Sequence, residues 1–156
     1  MRERNVRIAM IVVDLFAAVS AIVGAVGLVV GFMNIPLSVL NGTPFADFTV
    51  PALLLGIVVG GSALAAAAIA LFGPGKPAVF GLWRSDTLAS ATAGCIMVGW
   101  MVSEVALIGL GSWLQPTYFA VGLVMIGMAA LLQWAEPRRI GHQTDVSVRH
   151  RHHAAA

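Results

Sequence analysis

Two acidic residues interrupt stretches that are otherwise apolar, and they are the first candidates for chemistry. Asp14 lies in the stretch 8–32 and Glu104 lies in the stretch 87–110. A charge at membrane depth costs at least ~2.5–3.5 kcal/mol by insertion scales, so an intramembrane acid suggests a functional site. Counted from the ends of their stretches, both acids lie about 9 Å deep but near opposite faces, roughly 18 Å apart along the axis. We therefore exclude a carboxylate pair.

The first acid, Asp14, is close to basic residues along the chain and across the predicted loops. Arg7, Lys76 or Arg84 could reach it from the same side and form an ion pair near the interface. A structural ion pair is the favoured interpretation. A proton or cation site is the alternative.

The second acid, Glu104, has no basic residue on its side of the predicted membrane. We expect it to be shielded from lipid, neutral or hydrogen-bonded, because an ionised carboxylate facing hydrocarbon is penalised. Five polar residues could pair with it: Asn34, Ser112, Gln115, Thr117 and Tyr118. Of these, Tyr118 and Asn34 are the expected neighbours, unless a bound partner takes their place.

Glu104 shares one helical stripe with Met97, Trp100 and Met101, on the side opposite a run of small residues around Gly99. If the small residues face the bundle interior, the stripe contacts another protein chain or a lipid-like ligand. The alternative is a hydrogen bond inside the bundle, with the two faces exchanged.

Other kinds of chemistry lack the residues they need. The chain has one cysteine, Cys95, which excludes a CxxC pair, and its four histidines all lie in the tail after residue 137. No Ser/His/Asp set, phosphate-binding loop or metal-ligand cluster is present. We expect no metal and no cofactor, although a bound lipid would fit, and we favour a protein that is not an enzyme.

The elements that position these residues follow from composition. The chain of 156 residues is 59% hydrophobic and 10% charged, with mean hydropathy +0.91. Soluble domains have roughly 25% charged residues, so this composition excludes a soluble domain, a disordered chain and a nucleic-acid module. Four apolar stretches are each long enough to cross a bilayer as a helix: 8–32, 50–72, 87–110 and 117–135.

The sequence therefore predicts an all-α polytopic membrane protein, a four-helix transmembrane bundle formed by residues 1–137. Residues 138–156 form a basic tail that we expect to be flexible and cytoplasmic. All nine Lys and Arg residues lie before the first stretch, between the second and third, or after the fourth. The positive-inside rule then places both termini in the cytoplasm. The Ala-, Gly-, Val- and Arg-rich usage favours a bacterial inner membrane.

Small residues at helical spacing predict the faces along which the helices pack. The predicted packing glycines are Gly24, Gly27 and Gly31 in the first helix, Gly56 and Gly60 in the second, and Gly99 in the third. In the third helix, Thr92, Cys95, Ser103 and Ala106 lie on the same side as Gly99 and would face the interior with it.

Short sequence motifs in the loops and at the helix ends are similar to those of a known class of membrane proteins. Gly42-Thr43-Pro44-Phe45, Thr49-Val50-Pro51, Gly60-Gly61-Ser62 and Ser112-Trp113-Leu114-Gln115-Pro116 resemble small four-helix membrane proteins of bacteria, over about residues 8–134. The resemblance implies architecture rather than activity. Small multidrug-resistance transporters also have an acid in their first helix, but that family uses Glu and lacks the long loop after it, so its function is not carried over.

Three functions are compatible with these features. The leading interpretation is an accessory or assembly subunit, or a homo-oligomer, whose partners are the lipid bilayer and another membrane protein or a second copy. The second is a small transporter or carrier of a lipophilic molecule that uses Glu104 and Trp100. The third is a lipid-active membrane enzyme, for which Glu104 would be the one acid or base. No nucleic acid is expected as a partner.

The distribution of basic residues makes a testable prediction about topology. A reporter fused after Arg139 should report the cytoplasm, and one inserted at Asn41-Gly42 should report the exterior, because the basic segments remain on the cytoplasmic side. Activity of both reporters on the same side would remove a helix from the predicted architecture.

Overall fold

The protein is described by a computed structural model that covers residues 2–73, 77–79 and 83–135. Four long helices account for most of this part of the chain: α1 (Arg2–Val30), α2 (Thr49–Phe72), α3 (Ser85–Ile108) and α4 (Leu114–Ala135). All four are long and apolar enough to cross a membrane. The predicted all-α four-helix bundle is therefore confirmed. The predicted tail, 138–156, lies outside the described residues.

The boundaries of α1 and α3 differ from the predicted ones at ends where the chain has polar residues or a glycine. α1 begins at Arg2 rather than at residue 8, because a helix continues past the apolar stretch into residues that favour helix. It ends before Gly31, whose φ of +74° is a left-handed conformation that glycine adopts without steric cost. α3 ends in the same way before Gly109, with φ +78°.

The central part of α2 is not a regular α-helix. Leu54–Gly60 is π-helical, between the α-helical segments Thr49–Leu53 and Gly61–Phe72. Such segments are rare and are often found at functional sites. This one packs against α1, and Val59 and Gly60 are buried. Hydropathy does not distinguish an α-helix from a π-helix, so the sequence analysis did not anticipate it.

Consecutive helices pack side by side, and α4 also packs against α1, which closes the bundle. α1 and α3 lie across the diagonal and contact each other much less.

The connection between α1 and α2 contains a short 3₁₀ turn, Leu37–Leu40, and Asp47 accepts a hydrogen bond from the Thr49 backbone N–H at the start of α2. Between α2 and α3, Pro77–Val79 (β1) pairs antiparallel with Trp83–Arg84 (β2).

The core of the bundle is built mainly from small side chains. Its main cluster consists of the buried residues Ala17, Ala18, Ala21, Val59, Ala63, Ala66, Ala93, Met97 and Met125. Many large apolar residues are exposed instead, among them Val12, Phe16 and Val19 on α1. Small residues allow helix backbones to approach closely, while the large side chains face the surroundings that a membrane would fill.

The glycines of α1 and α2 lie largely where those helices meet. A Cβ on Gly56 would lie 3.0 Å from Ala25 Cβ, and one on Gly60 would lie 2.9 Å from Ile22 Cγ1. Gly24 faces Leu55 across the same contact. These positions leave little room for a side chain, which is the geometry expected of a small-residue packing seam.

The other predicted packing glycines require correction. A Cβ on Gly27 would meet the Phe32 and Met33 side chains, which follow α1, rather than a neighbouring helix. Gly31 has open space around it and ends α1, so its role is conformational. Gly99 is exposed, and no atom lies within 4 Å of the Cβ that it lacks.

The whole face of α3 that includes Gly99 points outward. Five small or polar residues on this face are exposed: Thr92, Cys95, Gly99, Ser103 and Ala106. The opposite face, which includes Met97 and Met101, is buried. The predicted orientation of α3 was therefore reversed, and the interpretation with exchanged faces is the one that the structure supports.

The closest approach between α3 and α4 involves two glycines that the sequence analysis did not select. A Cβ on Gly94 would lie 2.8 Å from the Gly122 carbonyl oxygen, and a Cβ on Gly122 would lie 3.0 Å from the Gly94 carbonyl oxygen. Side-chain atoms of Ile126 and Val98 come equally close, but the contacts with the two carbonyl oxygens involve the backbone and cannot be relieved by a rotamer change.

Gly94→Ala should therefore destabilise the bundle by about 1–3 kcal/mol, since the added methyl group forces α3 and α4 apart. Gly99→Ala is the matched control on the same helix, and it should leave the monomer as stable as the wild type or slightly more stable. Thermal unfolding of both variants in one monomer-stabilising detergent measures the difference. Equal stability of the two variants, or the reverse order, would contradict the helix contact described here.

Candidate functional site

One end of the bundle holds a cluster of charged residues around Asp86, in the first turn of α3. Asp86 is 1% exposed. The Arg84 guanidinium donates two hydrogen bonds to its carboxylate, from Nε to Oδ1 at 3.1 Å and from Nη2 to Oδ2 at 3.0 Å. The Thr87 backbone N–H also donates to Oδ1, at 3.0 Å. A carboxylate at a helix N-terminus that receives a bidentate arginine is strongly stabilised in its charged form.

Arg7 connects this cluster to two further helices. Its Nε lies 3.6 Å from Asp86 Oδ2, and its Nη2 donates to the Ala70 carbonyl oxygen at 2.6 Å. Ala70 is in the last turn of α2, where carbonyl groups lack helical partners and favour a positive charge. Arg7 therefore joins α1, the end of α2 and the start of α3.

The end of α4 joins the same cluster through Gln133. Thr87 Oγ1 lies 3.0 Å from the Arg84 carbonyl oxygen and 3.2 Å from Gln133 Oε1, and its hydroxyl can donate to either. The Arg84 backbone N–H also points to Gln133 Oε1, at 3.5 Å. All four helices thus contribute to this end, which we call the basic end of the bundle.

Asp14 lies deeper in the bundle and is completely buried. Ser90, across the diagonal on α3, donates a hydrogen bond from Oγ to Asp14 Oδ1 at 2.9 Å. The second carboxyl oxygen, Oδ2, is buried and has no hydrogen-bond partner in the described part of the chain.

The predicted ion pair of Asp14 requires correction. Arg7 and Arg84 both bind Asp86 instead, because they lie at the end of the bundle, whereas Asp14 is about two helical turns further along α1 than Arg7. Lys76, the third candidate, lies outside the described residues. The sequence analysis did not select Ser90 or Asp86 as functional residues. The sequence feature that could have revealed them is the spacing of four between Asp86 and Ser90, which puts both residues on one face of α3.

Glu104 lies toward the opposite end and accepts a hydrogen bond from Gln115. Gln115 Nε2 lies 3.2 Å from Glu104 Oε1 and 3.0 Å from the Gly109 carbonyl oxygen. Gln115 Oε1 accepts from the backbone N–H groups of Gly111 and Ser112, at 3.1 and 3.4 Å. Gln115, which is 3% exposed, therefore organises the turn between α3 and α4 and connects it to Glu104.

None of the other predicted site residues hydrogen-bonds to Glu104 in the described contacts. Met97 and Met101 are buried, and Trp100 and Tyr118 are half-buried and pack against the main core cluster. Asn34 is exposed in the connection after α1, with φ +50°. Gln115 is the hydrogen-bond partner of Glu104 in the described contacts, rather than Tyr118 or Asn34.

Two features near Glu104 could accommodate a ligand. An open, apolar groove of about 480 Å³ lies between α3 and α4, lined by residues that include Met101, Val105, Gln115 and Phe119. The indole nitrogen of Trp100 is buried without a hydrogen-bond partner in the described part of the chain. Buried indole N–H groups usually find an acceptor, so this one is notable.

The described residues contain no group of three or more His, Cys, Asp or Glu side chains that could hold a metal ion. The chain matches no protein-family model, no curated protein and no solved structure. The geometry of the bundle itself must therefore carry any functional argument.

The loss of stability caused by each substitution in the Glu104–Gln115 pair should increase with the number of hydrogen bonds that it removes. Glu104→Gln should retain wild-type stability, because the amide oxygen can still accept from Gln115. Glu104→Leu should cost about 1 kcal/mol, and Gln115→Leu should cost about 2–3 kcal/mol because several polar groups lose their partner. Thermal or denaturant unfolding in lipid nanodiscs measures the relative stability of the three variants. Equal stability of all three variants would make the contact incidental.

Proposed function

We propose that this protein is a non-enzymatic membrane subunit that assembles through the outward face of α3 with a second copy of the chain. An accessory role with a different membrane protein is the related alternative. The observation that carries the proposal is the exposed stripe Thr92, Cys95, Gly99, Ser103 and Ala106, which we call the α3 stripe.

The α3 stripe differs from the outward surface of α1. On α1, the exposed residues include large apolar side chains such as Phe16, Val23 and Val29. A glycine facing lipid forms few contacts, whereas a glycine facing another helix lets the two backbones approach closely. Cys95, Gly99 and Ser103 follow one another at intervals of four, the spacing of a small-residue helix contact. The Ser103 hydroxyl donates to the Gly99 carbonyl oxygen at 2.8 Å, so its polar group is already satisfied.

A second copy is the partner that the stripe itself favours. Most oligomers are symmetric, and a two-fold axis places the same patch of both chains in contact. Two α3 helices related in this way would bring Gly99 of one chain against Gly99 of the other. The described residues consist mostly of four membrane-length helices, so a partner would meet them mainly along their outward helix faces.

The proposed location is the inner membrane of a bacterium, with both termini in the cytoplasm. In the described part of the chain, Arg4, Arg7 and Arg84 all belong to the same end of the bundle, where α1 and α3 begin and α2 and α4 end. The positive-inside rule supports placing that end in the cytoplasm.

Cys95, the one cysteine of the chain, provides a direct test. Mild oxidation of native membranes should give a disulfide-linked dimer of the wild-type protein. Gly99→Leu should reduce the cross-link by about tenfold, which corresponds to the loss of ~1.4 kcal/mol of helix association. Gly127→Leu is the matched control, because Gly127 is an exposed glycine with open space on α4.

Several outcomes separate the alternatives. A cross-link from Cys95 to another membrane protein that is sensitive to Gly99→Leu would favour the accessory role. A cysteine moved from position 95 to the exposed position of Ala120 on α4 should not cross-link. A strictly monomeric protein in nanodiscs, with no cross-link from Cys95 in native membranes, would refute assembly through α3.

A carrier of a lipophilic molecule remains the second candidate. The apolar groove beside Gln115 and the unpartnered indole nitrogen of Trp100 favour it. Met101 and Gln115 line the groove, and Glu104 joins it through its hydrogen bond to Gln115. In this function an apolar molecule would occupy the groove, and a polar group on it would contact the amide of Gln115.

A further inference from the structure

The bundle buries two aspartates, and they differ in what neutralises them. Asp86 has two arginines and a backbone N–H as partners. Asp14 has the hydroxyl of Ser90 on one oxygen and no partner on the other, within the described residues. Both carboxyl groups are buried, with exposures of 0% for Asp14 and 1% for Asp86.

An ionised Asp14 would be a nearly uncompensated charge in an apolar interior. One hydroxyl hydrogen bond does not replace the hydration of a carboxylate, and an unpaired buried ion is strongly disfavoured. A neutral carboxylic acid avoids that penalty. In the neutral form, Oδ1 is the carbonyl oxygen that accepts from Ser90, and Oδ2 carries the proton. A metal cation is a poorer solution, because one carboxylate and one hydroxyl provide too few oxygen ligands.

The surroundings of Asp14 on each helix agree with the neutral form. On α1, the nearest described cation is Arg7, which is already bound to Asp86 and Ala70. On α3, Asp86 and the preceding Arg84 bind each other, and Glu104 lies toward the opposite end, where it accepts a hydrogen bond from Gln115. Residues 49–72 of α2 contain no titratable side chain, and α4 has only Tyr118 in its described part, near the opposite end of the bundle.

The polar side chains on the inner side of α3 lie on the side of Asp14 that faces the basic end. Asp86, Thr87 and Ser90 follow the inner side of α3 from its first residue and end at the Asp14 carboxyl group. Beyond Asp14, the core cluster is apolar, with Ala17, Ala21 and Met97 among its members. Asp14 therefore has polar neighbours on α3 toward the basic end, beside a smaller buried apolar cluster around Met10, and an apolar core on its other side.

We infer that Asp14 is a proton-binding site of this bundle, held as a neutral carboxylic acid by Ser90 and exchanging its proton with the basic end. This inference depends on the interior of α1 and α3 and is independent of the α3 stripe. It assigns the ligand of the site as a proton rather than a metal ion.

Infrared spectroscopy of the full-length protein in lipid nanodiscs tests the site directly. At neutral pH the wild type should show the carbonyl-stretch band of a protonated carboxylic acid. With Glu104→Gln as the common background, which removes any band from the second intramembrane acid, the band should be absent in Asp14→Asn and should remain in Asp47→Asn, an exposed aspartate that serves as the matched control. It should shift when H₂O is replaced by D₂O, because the proton exchanges. Absence of the band in the wild type, its survival in Asp14→Asn, or the lack of a D₂O shift would overturn the inference.

Ser90→Ala provides a readout that does not remove the carboxyl group. Loss of the hydrogen bond to Oδ1 should move the band to higher frequency without abolishing it. An unchanged frequency would show that the band arises from another carboxyl group. This test does not depend on whether Asp14→Asn folds.

Thermal stability provides the final discrimination. Asp14→Asn should unfold within about 3 °C of the wild type, because a neutral amide replaces a neutral acid of the same shape. Asp86→Asn should unfold at a clearly lower temperature, because two arginines lose their counter-charge. If the two variants are equally destabilised, Asp14 is an ionised group paired with a cation, and the inference is wrong.

Discussion

The close approach of the helix backbones is the constraint on which the rest of this structure depends. Alanine and glycine occupy the crossings, as at Gly60 beside Ala18 and Ala21, and at Gly94 beside Gly122. A bundle this narrow allows side chains on diagonal helices to meet, which is how Ser90 on α3 reaches Asp14 on α1. Larger core residues would separate these helices and leave both polar groups without a partner. The packing of small residues thus determines where polar chemistry can exist in the interior.

The same constraint explains why the two ends of the bundle are so different. At the basic end, the helix termini provide free carbonyl and N–H groups, and Arg7, Arg84 and Asp86 use them to join α1, α2 and α3 through charged contacts. Gln133 adds α4 through its contacts with Thr87 and the Arg84 backbone. At the opposite end, a neutral amide has the organising role, since Gln115 holds the turn between α3 and α4 together. Charge is concentrated where water is near, and amide hydrogen bonds are used where basic residues are absent.

The helices could be predicted from the sequence, but their faces could not. A continuous apolar stretch of membrane length indicates a spanning helix whatever its orientation, so the four helices were found with small errors at their ends. Orientation usually follows from the contrast between apolar and polar sides, and α3 lacks that contrast because small residues lie on both of its sides. Gly99 and Gly94 look equivalent in sequence, yet only Gly94 meets a backbone. The partner of Asp14 was missed for the same reason, since placing Ser90 in the interior requires the correct face of α3.

α3 emerges as the helix on which both proposals converge. Its inner side holds Ser90 against Asp14, and its outer side presents Gly99, nine residues and about 13 Å further along the axis. The two features therefore lie on opposite sides of one helix, and the contact of Ser90 with Asp14 is complete within a single chain, whereas the outer side of Gly99 is not.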